Sequence, residues 1–106
     1  MKVVNKLVRD KIPKIIESDG RTCKTRILQD DEYIIELNKK LQEEVNEYLE
    51  SGEIIELADI VEVLRAILDS KHISYDDFEK LRCEKFAKNG GFSDKIFLEG
   101  ILDKSE

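Results

Sequence analysis

A chain of 106 residues, 41% hydrophobic and 40% charged, is long enough for one modest core and too apolar to remain disordered. Its formal charge of -6 argues against general nucleic-acid binding, which needs a basic surface, but leaves room for a phosphorylated small molecule held by a few local cations or a metal ion. No apolar run approaches the roughly 20 residues of a membrane span and the N-terminus lacks the apolar stretch of a signal peptide, so a single cytoplasmic domain over residues 1–106, with no membrane partner, is expected.

Asp10 to Ser18 reads as a short first helix, because Pro13 is tolerated in a first turn and Asp19-Gly20 is a stop signal. Residues 22–28, TCKTRIL, alternate weakly and predict a strand. Asp30 or Asp31 then caps a second helix running to about Glu50, and Ser51-Gly52 breaks it. A third helix is predicted from about Glu53 to Ser70. Ser74-Tyr75-Asp76-Asp77 resembles a capping box for a fourth, which ends where Asn89-Gly90-Gly91 supplies left-handed conformations. In the tail, KIFL offers a partner for TRIL in a small two-stranded ladder. The expected fold is therefore mainly α, an antiparallel bundle of about four helices with that ladder as an optional addition. Cys23 and Cys83, with no CxxC and no neighbouring His, read as two reduced thiols, and His72 is the sole histidine. One histidine leaves little room for a His-based zinc site.

On the second helix Ile34, Leu37, Leu41, Val45 and Tyr48 follow the helical period, and Glu44 falls on that same face with Glu47 three residues on. The third helix is more unusual. Eleven of the fifteen residues from Ile54 to Leu68 are apolar, the others being Glu56, Asp59, Glu62 and Arg65. A helix apolar on nearly every side is normally enclosed, either by a bundle completed within the chain or by a dimer. Folding the two helices antiparallel about Ser51-Gly52 sets Glu47 against Glu56 and Glu44 against Asp59. Four carboxylates in a low-dielectric site repel one another and lose hydration unless a cation compensates. Mg2+ is the natural candidate and Mn2+ a substitute, since both take oxygen ligands and nearby Cys or His is lacking. The competing reading, an ordinary acidic surface helix, suits EExxE alone better than it suits two acid pairs in register.

These residues also match a known pattern. EEVNE at 43–47 followed by ELAD at 56–59 resembles the EExxE...ExxD signature of the all-alpha NTP pyrophosphatases, which include MazG-like enzymes, dimeric dUTPases and phosphoribosyl-ATP pyrophosphohydrolase. The opening NKLVRDKIPKII and the late KNGGF resemble a narrower branch, the phosphoribosyl-ATP pyrophosphohydrolase-like, house-cleaning NTP pyrophosphatases. Together these motifs reach from Asn5 to about Phe92. The resemblance implies Mg2+ ligands at Glu44, Glu47, Glu56 and Asp59, hydrolysis of a nucleoside triphosphate to the monophosphate and pyrophosphate, and a homodimer or homotetramer. One departure is the spacing: eight residues separate Glu47 from Glu56, fewer than is usual in MazG-like members, which demands a tight turn.

The chemistry fits the residue types. Positioning and electrostatics dominate phosphoryl-group hydrolysis, and a carboxylate such as Glu43 or Glu44 takes the proton of the attacking water. A triphosphate also needs protein cations, for which Lys6, Arg9 and Lys11 near the N-terminus and Arg82, Lys85 and Lys88 along the fourth helix are the candidates. Each set has a plainer reading as a solvated basic face. Asp10 has one as a helix cap, and Gly90-Gly91 as a helix stop instead of a phosphate-binding turn. The expected activity is a Mg2+-dependent nucleotide pyrophosphohydrolase acting on non-canonical (d)NTPs. The alternatives are phosphoribosyl-ATP hydrolysis in histidine biosynthesis, or a non-catalytic nucleotide-binding helical module.

Overall fold

The computed structural model describes residues 1–105. It contains four helices: α1 (Ile12–Ser18), α2 (Asp30–Ser51), α3 (Ile54–Ser70) and α4 (Tyr75–Asn89). The chain divides into two compact units, Met1–Ser74 and Tyr75–Glu106. The mainly α class expected from the sequence is the observed one.

Three local expectations need correction. No strand forms among the described residues, so the ladder between TRIL and KIFL is absent. An isolated two-stranded pair is marginal in water without a further strand or helix behind it. Asp10 is no helix cap: α1 starts two residues later, after a turn in which the Ile12 N–H donates to the Arg9 carbonyl at 3.0 Å, with Pro13 in its first turn. Asp30 and Asp31 are not caps either. Gln29 holds that position in an extended conformation, and Asp30, Asp31 and Glu32 occupy the first turn of α2, where their charge favours the positive end of the helix dipole.

In the first unit α2 packs on α3, and the turn between them decides their register. Gly52 lies at φ +67°, in the left-handed region, and its N–H donates to the Tyr48 carbonyl at 2.7 Å while the Glu53 N–H donates to Ser51 Oγ at 3.2 Å. A Cβ at Gly52 would meet nothing within 4 Å, so Gly52→Ala carries only the conformational cost of the left-handed backbone. The expected loss is about 1–2 kcal/mol, read as a lower urea midpoint at unchanged m-value.

The face of α2 predicted to turn inward does so. Leu37 is buried, and Ile34, Leu41, Val45 and Tyr48 are half-buried beside it. Opposite them Val63 and Leu68 are the buried residues of α3. These three apolar side chains make up the buried core of the described residues, together with one charged residue, Glu44. Ile54, Leu57 and Val61 follow i, i+3, i+7 spacing on another face of α3, and all three are exposed. Within the described chain α3 is therefore not enclosed.

The second unit consists of α4 and the residues after it. Gly90, at φ +80°, donates its N–H to the Phe86 carbonyl at 2.7 Å, and a Cβ on Gly91 would come within 2.9 Å of the Phe86 ring. That is the geometry of a helix stop. Phe92, Ile96, Phe97, Leu98, Ile101 and Leu102 lie exposed in the tail. No helix is long and apolar enough among the described residues to cross a membrane.

Candidate functional site

The acidic hairpin brings its carboxylates together from both helices. One group comprises Glu44 of α2 with Glu56 and Asp59 of α3, the other Glu43, Glu44 and Glu47 of α2, and within each group the carboxylate oxygens lie within 4.8 Å of one another. Glu44 belongs to both. It stands opposite Asp59, and Glu47 interacts electrostatically with Glu56, which is the antiparallel register that the tight Ser51-Gly52 turn requires. The four acids do not form one enclosed cage, however, because Glu47 is exposed while Glu56 and Asp59 are half-buried.

Glu44 is the unusual member. It is 7% exposed, and its Oε2 is buried without a hydrogen-bond partner. An ionised oxygen in that position costs several kcal/mol unless something compensates it. Lys40, one turn earlier, lies 3.6 Å from the other oxygen, Oε1, and 3.5 Å from Glu43 Oε2. This lysine escaped notice in the sequence, where its i+3 and i+4 relation to Glu43 and Glu44 was the available signal. The donor set is entirely oxygen, which suits a hard divalent cation far better than zinc.

Two cations arrive from the N-terminal segment. Lys6 Nζ lies 2.8 Å from Glu43 Oε1, and Arg9 Nη2 lies 2.7 Å from Asp59 Oδ1. Both were candidates from sequence, and both sit at the carboxylates. Asn5, at φ +48°, turns the chain just before Lys6, in a conformation that asparagine tolerates better than most residues. The Lys11 side chain is exposed. Arg82, Lys85 and Lys88 lie on α4 in the second unit; Arg82 is paired with Glu79 on its own helix, its Nε 2.8 Å from Glu79 Oε1, and Lys85 and Lys88 are exposed.

The electrostatics separate the acids. The Lys6 hydrogen bond holds the Glu43 carboxyl below its ordinary value, and Lys6 is raised in return. Burial, then the neighbouring Glu47, push Glu44 up, and burial followed by Glu47 and Asp59 does the same to Glu56. A carboxyl whose pKa is raised on folding contributes stability below its unfolded value, near 4.5, and that stability is lost as pH rises through the raised value. Glu43 has the opposite sign, its contribution being lost only as pH falls below its ordinary value. In EDTA the melting temperature should therefore fall as pH is raised above about 5, and the fall should shrink in Glu44→Gln. A melting temperature that climbs instead would mean that the buried carboxyl is no source of strain.

No family model matches the chain, and no solved structure matches it. The chain is similar to a protein of Mycolicibacterium smegmatis (strain ATCC 700084 / mc(2)155) described as uncharacterized, with 56% identity over 41 residues, a stretch that is 39% of this chain and 42% of that relative.

Proposed function

We propose that the protein is a Mg2+-dependent nucleoside triphosphate pyrophosphohydrolase that converts a (d)NTP to the (d)NMP and pyrophosphate and so clears non-canonical nucleotides from the cytoplasm. The observation that carries this reading is Glu44 Oε2, a buried, unpartnered carboxylate oxygen at the junction of two carboxylate groups. A solvated acidic helix would have no reason to bury that atom. Glu44, Glu47, Glu56 and Asp59 would hold the cation. The EExxE...ExxD pattern, and the NKLVRDKIP opening that resembles the house-cleaning branch, support the substrate class.

The chemistry that a divalent cation held by these carboxylates would supply is neutralisation of phosphate charge and polarisation of the phosphorus. The remaining work belongs to the chain. Glu43, kept ionised by Lys40 on the same helix, is a hydrogen-bond acceptor beside the cluster and orients the attacking water. Its lowered pKa makes it a weak base, so orientation is the larger part of its role. The water oxygen bonds to phosphorus, the bridging P–O bond between the first and second phosphates breaks, pyrophosphate leaves, and the water proton passes to a carboxylate. Lys6 and Arg9 supply positive charge to the phosphate chain, and α2 and α3 keep the acids in register.

The homodimer or homotetramer belongs to the same proposal, supported by the exposed Ile54, Leu57 and Val61 of α3. The test is pyrophosphate release from canonical and damaged (d)NTPs and from phosphoribosyl-ATP, in Mg2+ and in EDTA. Metal-dependent release from damaged (d)NTPs is expected. Release from phosphoribosyl-ATP alone would move the protein to histidine biosynthesis, and no release from any substrate by a folded, metal-binding protein would leave a nucleotide-binding module.

A further inference from the structure

We propose that residues 5–9 form a cationic strap whose Lys6 and Arg9 occupy the carboxylate cluster as removable counter-ions, so that closure of the strap on Asp59 and cation binding at Asp59 compete. The inference rests on the metal-site reading above.

The two strap contacts reach across 37 and 50 residues of sequence and land on different carboxylate groups, Lys6 on Glu43 in one and Arg9 on Asp59 in the other. They neutralise the rim and leave the centre. Glu44 Oε2 keeps no partner although two cations from the strap are engaged close by, so the strap substitutes only in part for the charge the cluster needs.

The strap is built to leave. The Lys6 and Arg9 side chains are 53% and 54% exposed, so parting them from their acids opens no core. Residues 1–9 contain no helix or strand, and of residues 5–9 Leu7 alone is half-buried. A segment with so little buried apolar surface detaches at small cost. Its far end is fixed where the Arg9 carbonyl receives the Ile12 N–H at the start of α1. Asp59 Oδ1 cannot offer the same lone pairs to a guanidinium and to a metal at full strength. Released from Asp59, the planar fork of Arg9 matches the oxygens of a phosphate. One residue thus screens the acids before the cation binds and then clamps the anion that enters with it.

Mn2+ binding, followed by the electron paramagnetic resonance signal of the free ion, tests this in wild type, Arg9→Gln and Arg9→Lys. Removing the guanidinium charge should tighten Mn2+ binding about threefold or more, the size suited to a half-exposed ion pair, and lysine should return it towards wild type. Limited trypsin digestion of the wild-type protein gives a second readout, in which Mn2+ should speed cleavage after Lys6 and Arg9. Unchanged or weaker Mn2+ binding in Arg9→Gln, or slower cleavage in Mn2+, overturns the strap and leaves the metal site standing. No Mn2+ binding to any of the three proteins overturns both.

Discussion

Glu44→Gln should reduce pyrophosphate release at least ~100-fold, a loss of about 2.7 kcal/mol of transition-state stabilisation, while the helices persist. The substitution is nearly isosteric and removes one negative charge from the junction of both carboxylate groups. Its effect on stability should have the opposite sign in the absence of metal. Glu44 is buried, its Oε2 has no partner, and burial with Glu47 nearby disfavours its ionised form, so exchanging a carboxylate for an amide relieves an unfavourable charge. In EDTA the variant should melt at or above the wild-type temperature. With Mg2+ at 100 times its dissociation constant the wild type should gain about 2.7 kcal/mol, and the variant little. The crossing of the two stability orders is the discriminating result. A structural salt-bridge residue would instead destabilise the protein under both conditions when removed, and a surface glutamate would change neither stability nor turnover.

The second large effect concerns assembly. Val61→Asp should convert the protein to monomers in sedimentation and light scattering, and should abolish any dependence of the wild-type melting temperature on protein concentration. Val61 is 42% exposed and lies between Leu57 and the later turns of α3, on the stripe that begins at Ile54. Full burial of such side chains is worth roughly 1.5–3 kcal/mol each, and a carboxylate within a patch that assembly would bury would forfeit that and add a desolvation cost. The core within the chain explains why assembly should matter. Leu37, Val63 and Leu68 are the buried apolar side chains among the described residues, a small set for a chain with 41% hydrophobic residues. If the variant also loses helix content, folding and association are coupled. A wild-type protein that is monomeric at high concentration and melts independently of concentration would remove this part of the proposal.

Much of the hairpin was legible because its determinants are local. Helical spacing of Ile34, Leu37, Leu41, Val45 and Tyr48 marks the inward face of α2, and Glu44 shares it whatever the rest of the chain does. Ser51-Gly52 must reverse the chain, since the left-handed conformation there favours glycine, and that turn sets Glu44 against Asp59. Composition and period were enough for the helical class. Local pattern failed at TCKTRIL, where weak alternation suggested a strand, because a strand exists only through a partner and none is present among the described residues.

What the amino-acid order determined, then, is the pair of helices, their register and the acids they share. Tertiary structure decided the rest: that Glu44 is the buried acid while Glu47 stays exposed, and that Lys6 meets Glu43 and Arg9 meets Asp59 across 37 and 50 residues. Periodicity reports which residues share a face of one helix. It carries no information on the path of a non-helical segment, or on which of several like charges the packing will desolvate, because both depend on groups far away in sequence.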